Sequence, residues 1–288
     1  MRAGPAVFLA LVLTSGGREP GTLTLAFAGD VSVARGVASQ NAGHWETALS
    51  GVSDALRADV TYGNLESPLT VAPYRAKGID LRASPSGVAA LAPFALMGVE
   101  NNHAQDGGEA GRVETRGTLR RAGILPVTRA LTVTQVKGIS VAWIAFFNDG
   151  HTPPPLAAIR EGARRARVVV GVHWGAEYGP VTDRQRLLAR QLAAAGATLI
   201  VGSGPHVLQG TERIGTTLVL YSLGNLLLDQ PYPLARLGAV VRVTVEEDGI
   251  HACAVPTRYR AGRVTPAPGK ERAKALARLG LPACTEAR

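Results

Sequence analysis

The feature that most constrains the fold is an alternation of short apolar runs with amphipathic stretches, which begins near Leu23. Helical spacing is clearest at residues 108–122 and 182–195, and in the second stretch Thr182 is placed to cap the start and Gly196 to end it. Strands that alternate with helices predict an α/β fold with largely parallel strands. The strand-like runs are residues 23–28, 60–62, 95–99, 139–146, 168–172, 199–201 and 218–221.

The C-terminal part of the chain has a different pattern. Two apolar runs, residues 239–246 and 250–255, flank Glu247-Asp248-Gly249, which predicts a hairpin. Residues 256–269 are rich in Arg, Pro and Gly, and we expect them to cross the surface. Residues 270–279 predict a short helix.

Polar side chains follow five of the predicted strands at the point where each strand ends. Each of them taken alone also occurs as an ordinary turn residue, or as a buried structural residue in the case of His173. Their coincidence favours a site, because ligands of open α/β sheets bind at the carboxyl ends of the strands. Oxygen and imidazole donors of this kind suit Mn, Zn, Fe or Mg. The side chains are Asp30, Asn64, Glu66, Asn101, Asn102, His103, His173 and His206.

The charge of the chain favours an anionic partner. The formal net charge is +9 and the isoelectric point is near 10.1, with arginine supplying most of the positive charge. Phosphates, acidic polymers, nucleic acid and anionic membranes all meet this description, and a generally basic surface without a dedicated partner is the alternative. Aromatic residues do not interleave with basic ones in any motif, so we do not predict a nucleic-acid partner.

Features near the two ends of the chain bear on whether it is exported. Arg2 precedes the apolar run 6–13, which predicts a secretory signal and an extracytoplasmic location, with an irregular N-terminal strand as the alternative. The run is too short to span a bilayer. Cys253 and Cys284 are the two cysteines and form no Cys-x-x-Cys pair, so a thiolate metal site is not predicted. In an exported chain they are expected to lie close enough to bridge.

Six motifs in order resemble the CapA-type proteins of poly-γ-glutamate capsule synthesis, within the metallophosphatase-like superfamily. The resemblance implies an α/β fold in which two mixed β-sheets pack face to face with flanking helices. The resemblance spans residues 23–229. Together with the patterns at the two ends of the chain, it leads us to expect a signal or leader at residues 1–20, a CapA-like domain at 21–247, and a C-terminal strand and tail at 248–288 packed on that domain. The motifs are residues 29–35 (GDVSVAR), 64–70 (NLESPLT), 101–108 (NNHAQDGG), 173–178 (HWGAEY), 202–209 (GSGPHVLQ) and 221–225 (YSLGN).

The same resemblance implies roles for particular residues. His103 looks like the histidine that protonates a leaving group or binds a phosphoryl oxygen, and Arg35 would neutralise an anionic substrate. Glu66 would complete a metal shell or serve as a general base. Trp174 and Tyr178 either line the cleft or belong to the core. The metal ligands implied by the resemblance are Asp30, Glu66, Asn102, His173 and His206.

One departure from the family pattern bears on the metal. Where relatives carry one or two histidines before Pro-His, this chain has Ser203-Gly204, so at least one imidazole of a two-metal site is missing. We therefore expect one tight site for a divalent metal (Mn, Zn or Fe), or a degenerate binding cleft.

Two functions are consistent with these observations. The first is a cell-envelope, metal-dependent hydrolase that acts in synthesis, anchoring or processing of an anionic polymer such as poly-γ-glutamate, or on a phosphorylated substrate. The second is a non-catalytic assembly factor that binds the anionic polymer through a degenerate site. The strand-end cluster favours the first, and Ser203-Gly204 with the basic charge favours the second. Membrane-bound components of a polymer synthase are expected partners in either case.

Overall fold

The computed structural model describes residues 22–246 and 249–285. The predicted secretory signal and the leader at residues 1–20 lie outside the described residues. Within the described ranges the strands are β1 (Leu23–Val31), β2 (Val60–Leu65), β3 (Leu96–Gly98), β4 (Leu125–Val127), β5 (Thr132–Val136), β6 (Ile139–Phe147), β7 (Arg167–His173), β8 (Ala197–Ser203), β9 (Thr211–Ile214), β10 (Thr217–Leu220), β11 (Asn225–Leu227), β12 (Leu237–Val245), β13 (Ile250–Arg260) and β14 (Arg263–Pro266).

Helices cover the outer faces of the strands. None of the helices in the described part of the chain combines the length and apolar composition that a bilayer crossing requires. The α-helices are α1 (Arg35–Asn41), α2 (Ser53–Leu56), α3 (Gly108–Arg121), α4 (Leu156–Ala163), α5 (Asp183–Ala194) and α6 (Gly269–Leu279). Short 3-10 helices cover Trp45–Thr47, Ser50–Val52, Pro85–Leu91 and Pro233–Arg236.

The strands form two mixed sheets. One sheet has eight strands, ordered β14-β13-β12-β1-β2-β3-β4, with β11 pairing alongside β1. The other has six strands, ordered β5-β6-β7-β8-β10-β9. The centre of each sheet is parallel, with β1, β2, β3 and β4 in the first and β6, β7, β8 and β10 in the second. Parallel centres bring several carboxyl strand ends to one edge, where the polar residues of the sequence fall.

The two sheets pack face to face because the side chains of their central strands are apolar on both faces of each sheet. In β6, Trp143 and Ala145 point into the core between the sheets, whereas Ile144 and Phe146 point outward under α4 and α5. Such strands are apolar on both faces because both faces are covered. The predicted α/β fold, with two mixed sheets packed face to face and flanking helices, is confirmed.

Helix α5 begins where its sequence predicts. The Thr182 hydroxyl accepts from the Gln185 backbone N–H at 3.2 Å, and the Gln185 side chain accepts from the Thr182 N–H at 3.0 Å. This reciprocal capping box satisfies two of the N–H groups that a helix start leaves without partners. The buried face of α5, which includes Leu188 and Leu192, packs on the six-stranded sheet.

The C-terminal region is more ordered than its composition suggests. The hairpin is confirmed in its strands, since β12 and β13 pair antiparallel up to Val245 and Ile250, while Glu247 and Asp248 lie outside the described residues. Residues 256–269 lie partly at the surface, as expected, but most of them belong to β13 and to the edge strand β14 of the large sheet. Cys253 and Cys284 form a disulfide with their Cα atoms 4.8 Å apart, as expected for an exported chain.

Candidate functional site

Asp30 lies at the centre of a polar cluster where the carboxyl ends of the two sheets meet. It stands opposite Asn64 in the pairing of β1 with β2, and the Asn64 amide donates to its Oδ1 at 2.8 Å. The backbone N–H of Gly204 donates to Oδ2 at 3.0 Å. Burial raises the pKa of Asp30, but the hydrogen bond and charge of His206 and the Gly204 N–H outweigh it, so the pKa lies below its ordinary value. Asp30 is therefore held as a carboxylate.

Glu66 is fully buried and lies just beyond the end of β2. Its backbone N–H donates to the Val31 carbonyl at 2.8 Å, which fixes the start of the side chain. Neither carboxyl oxygen has a hydrogen-bond partner in the described part of the chain. Burial, together with the negative charge of Asp30, raises the pKa of Glu66 to about 8.

His206 faces both carboxylates. Its Nδ1 lies 2.9 Å from Asn225 Oδ1, and the Asn225 amide nitrogen donates to the Ala235 carbonyl at 2.8 Å. The amide is thus oriented so that Oδ1 accepts from Nδ1–H, which turns the other nitrogen, Nε2, to within 3.5 Å of Glu66 Oε1. Burial lowers the pKa of His206, but the charges of Glu66 and Asp30 outweigh this and raise it to about 10.

His173 is the last residue of β7 and closes the opposite side of the cluster. Its Nδ1 lies 3.1 Å from Ser203 Oγ and 3.3 Å from Asn64 Nδ2. Its Nε2 lies 3.9 Å from Glu66 Oε1. Burial lowers the pKa of His173 to about 4, so the ring is a neutral imidazole at physiological pH.

These side chains fit a divalent cation. Asp30, Glu66 and His206 each offer a ligand atom, and those atoms all lie within 4.8 Å of one another. A buried carboxyl group without a hydrogen-bond partner is costly unless a cation satisfies it, and Glu66 is such a group. Once Glu66 and His206 have lost their protons, these three groups form a donor set for a divalent cation.

The Asn101-Asn102 pair contributes differently from the sequence prediction. Asn101 is buried and its amide donates to the Leu65 carbonyl at 2.8 Å and to Asn64 Oδ1 at 3.3 Å. The side chain of Asn102 is exposed. The asparagine connected to the cluster is thus Asn101, one residue before the predicted ligand.

His103 belongs to a second imidazole–carboxylate pair next to the cluster. Its Nδ1 lies 3.0 Å from Asp106 Oδ2, and Asp106 is oriented by the Leu81 N–H, which donates to the same oxygen at 2.8 Å. His103 is near enough to His173 for its charge to contribute to the lowered pKa of that residue, after burial. Because Asp106 orients Nδ1, the Nε2 atom of His103 is the one available to exchange a proton with a bound molecule.

Arg35 and Tyr178 border the cluster. Arg35 pairs with Asp229 at 2.8 Å, and Tyr178 is 38% exposed with its ring centroid 6.1 Å from that of His206. The backbone φ angles are +48° at Arg35, +59° at Tyr178 and +58° at His206, a left-handed conformation that costs free energy for residues other than glycine. Trp174 instead belongs to the core, where its Nε1 donates to the Tyr221 carbonyl at 2.8 Å.

Ser203 and Gly204 stand where the family resemblance implies imidazole ligands. The Gly204 N–H takes one oxygen of Asp30, and a Cβ atom at Gly204 would lie 3.0 Å from His173 Nε2 and 2.9 Å from the Trp174 carbonyl oxygen. The φ angle of Gly204 is +105°. Backbone and imidazole thus fill the space that a further ligand would need.

Three residues that orient the site were not among the predicted functional residues: Asn225, Asp106 and Asp229. The first two belong to motifs visible in the sequence, so their positions carried a signal. Asp229 lies 194 residues from its partner Arg35, and no local pattern connects the two.

The fold and the cluster define a class: a two-sheet α/β protein with a buried Asp-Glu-His group suited to a divalent cation. The family profile described as "Bacterial capsule synthesis protein PGA_cap" matches residues 24–230. The chain belongs to this family.

Named relatives agree with the family. The chain is 31% identical over 284 residues to "PGA biosynthesis protein CapA" of Bacillus subtilis, covering 86% of this chain and 74% of the relative. It is 28% identical over 272 residues to "Capsule biosynthesis protein CapA" of Bacillus anthracis, covering 81% of this chain and 66% of the relative. A crystal structure of a hypothetical protein from Thermus thermophilus has 17% identity and a TM-score of 0.49, covering 85% of this chain and 98% of that chain.

Proposed function

We propose that this chain acts in the synthesis or processing of an anionic capsule polymer such as poly-γ-glutamate, as a hydrolase that uses one divalent cation held by Asp30, Glu66, His206 and His173. Family membership and the names of the two relatives support the polymer. The cluster supports the chemistry. We retain Asn102 as a candidate ligand only in a cation-bound arrangement that differs from the one described.

The observation that carries the proposal is the Glu66 carboxyl group. This group is fully buried and has no hydrogen-bond partner in the described ranges. It lies 3.5 Å from His206 Nε2, the ring nitrogen that is not bound to Asn225. A chain that only needed a filled core at this position would gain stability from an apolar residue. An unsatisfied acid next to an oriented imidazole is expected where a cation binds.

The residues around the cluster support hydrolysis. A divalent cation would supply polarisation of a carbonyl or phosphoryl oxygen. His103, held at Nδ1 by Asp106, can deliver a proton from Nε2 to the leaving group. Arg35 contributes positive charge beside the cluster, and Tyr178 forms part of its exposed edge.

One cation, rather than two, fits these residues. In the described part of the chain, one group of side chains brings its metal-ligating atoms within 4.8 Å of one another, namely Asp30, Glu66 and His206. The missing imidazole at Gly204 removes a further ligand.

The second candidate function is a non-catalytic factor that binds and positions the polymer. The backbone N–H of Gly204 on Asp30 favours it, because a degenerate site would replace a ligand contact with such a hydrogen bond. In both candidates the chain acts outside the cytoplasm with membrane-bound synthase components. The Cys253–Cys284 disulfide supports that location, since such bonds persist in oxidising compartments.

The test compares wild type with Glu66→Gln on poly-γ-glutamate after metal removal and after addition of Mn or Zn. We expect cation-dependent shortening of the polymer by wild type and none by the variant, measured by size-exclusion chromatography. Binding of the polymer by both proteins, with no shortening by either under any cation, would favour the assembly factor.

A further inference from the structure

A cavity near the cluster is lined by residues that have no part in the proposed function. Its volume is about 430 Å³, within the range of small-molecule sites. We name it the arginine pocket. It lies between α1, the segment after β11 and the end of β13, and its lining includes Gln40, Asp229, Gln230, Arg236, Tyr259 and Arg260.

The arginine pocket carries uncompensated positive charge. Asp229 is already neutralised, since one of its oxygens accepts from the Arg35 guanidinium at 2.8 Å and the other from the Gly36 N–H at 3.0 Å. No carboxylate in residues 22–246 or 249–285 pairs with Arg236 or Arg260. Arg236 donates from Nε and one terminal nitrogen to the carbonyls of Gln230 and Pro231, which fixes its guanidinium at the pocket wall.

Two structural connections join this pocket to the cluster. Arg35, which borders the cluster, pairs with Asp229 of the pocket wall at 2.8 Å. The Tyr178 hydroxyl donates to Gln230 Oε1 at 3.1 Å, while the Tyr178 ring lies beside His206. An extended molecule bound in the pocket can therefore continue past Arg35 and Tyr178 to the cluster.

We propose that the arginine pocket is a carboxylate-binding subsite that holds successive pendant carboxylates of a polymer while a neighbouring segment lies at the cluster. A guanidinium presents two parallel N–H donors that match the two oxygens of a carboxylate. Two such groups in one cavity suit a molecule with repeated carboxylates. The half-exposed pair of Tyr178 and Tyr232, with ring centroids 4.8 Å apart, offers an apolar surface for the polymer backbone between the two sites. The subsite rests on the proposed function for its polymer, but its binding does not require the cation.

The experiment measures binding of a fluorescent γ-linked glutamate decamer by anisotropy, in EDTA and at two salt concentrations. The double variant Arg236→Gln/Arg260→Gln is compared with Arg190→Gln/Arg272→Gln, which removes the same charge from exposed arginines of α5 and α6. A charge-assisted hydrogen bond contributes enough that each pocket arginine is expected to account for about tenfold in affinity. We expect about a hundredfold loss in the pocket variant and less than about threefold in the control.

A second variant separates charge from geometry. Arg236→Lys/Arg260→Lys keeps the charge but loses the paired donors, and we expect an intermediate loss of about tenfold with an unchanged melting temperature. Equal weakening by the pocket variant and the control, or no binding of the decamer by wild type, would overturn the subsite. So would a polyphosphate of equal length that binds more tightly than the decamer.

Failure of the proposed function gives a different result. If Glu66→Gln and wild type neither hold a cation nor shorten the polymer, the hydrolase proposal fails. A difference of about thirtyfold or more between the pocket variant and its control, measured in EDTA, would still establish the subsite.

Discussion

The Glu66→Gln variant separates the effect of the Glu66 carboxyl group on folding stability from its effect on cation binding. Because burial raises the pKa of Glu66 to about 8, the carboxyl group of the cation-free protein is largely protonated at pH 7 and neutral like an amide. Neither of its oxygens has a hydrogen-bond partner in the described ranges to lose. We expect the free energy of unfolding without metal to change by less than about 1 kcal/mol, although the residue is fully buried.

The effect with cation is larger. A cation at a hundred times its dissociation constant stabilises the folded state by about 2.7 kcal/mol. For a chain of this size that corresponds to roughly 5–10 °C in melting temperature. We expect this increase in wild type and its loss in Glu66→Gln, measured by differential scanning fluorimetry at pH 7 with EDTA or with excess Mn or Zn.

A matched control is available in α3. One oxygen of Glu114 accepts from the Val71 N–H at 3.0 Å and from the Thr70 hydroxyl, and the amide oxygen of glutamine can accept both bonds. Glu114→Gln should therefore cost about 1 kcal/mol without metal, through the lost charge, and keep the full increase with metal. A full metal-dependent increase in Glu66→Gln would refute the reasoning. So would a loss of more than about 3 kcal/mol in its metal-free form, because the carboxyl group would then have a structural partner.

Three further predictions test the surroundings of the cluster. Cation affinity should fall at least about tenfold for each unit of pH between 8 and 6, because the protons held on Glu66 (pKa about 8) and His206 (pKa about 10) must leave before the cation binds. Isothermal titration calorimetry in buffers of different ionisation enthalpy would measure this dependence, and an affinity that does not change with pH would contradict it. Gly204→Ala should lower the free energy of unfolding by about 2–4 kcal/mol and weaken cation binding, because its Cβ would meet the Trp174 carbonyl and His173 at a φ of +105°. Gly215→Ala, with φ +58° and open space around it, is the control. Equal urea midpoints for the two variants would argue against the clash. Replacing Cys253 and Cys284 by serine opens a loop of 31 residues and should cost about 3–4 kcal/mol of stability, whereas an unchanged melting curve would mean that the tail is held by other contacts.

The fold was largely predictable because its strands are apolar on both faces. Runs such as residues 168–172 become β7, but β7 continues to His173, since the last residue of a central strand keeps its ladder hydrogen bonds even when its side chain is polar. The apolar pattern therefore placed the ends of several predicted strands too early in the sequence. It also missed β13 beyond residue 255, where Pro256 and the arginines that follow lie near the edge of the sheet and alternate with buried Thr257 and Tyr259.

The site was predictable in its members more than in its geometry. Asp30, Glu66, His173 and His206 come together because parallel register places their strand ends side by side. That Asn101 rather than Asn102 reaches Asn64 depends on the path of the loop after β3, which no pattern in the sequence determines. The orientation of His206 depends on Asn225 and in turn on the Ala235 carbonyl, a contact made only after β11 pairs with β1.

The central claim is that the cluster holds one divalent cation, and metal analysis of protein purified without chelator tests it most directly. Inductively coupled plasma mass spectrometry should find about one equivalent of Mn, Zn or Fe per wild-type chain, and less than about a tenth in Glu66→Gln. The Glu114→Gln control should retain the full equivalent. Two equivalents in wild type, or one equivalent that survives Glu66→Gln, would contradict the account.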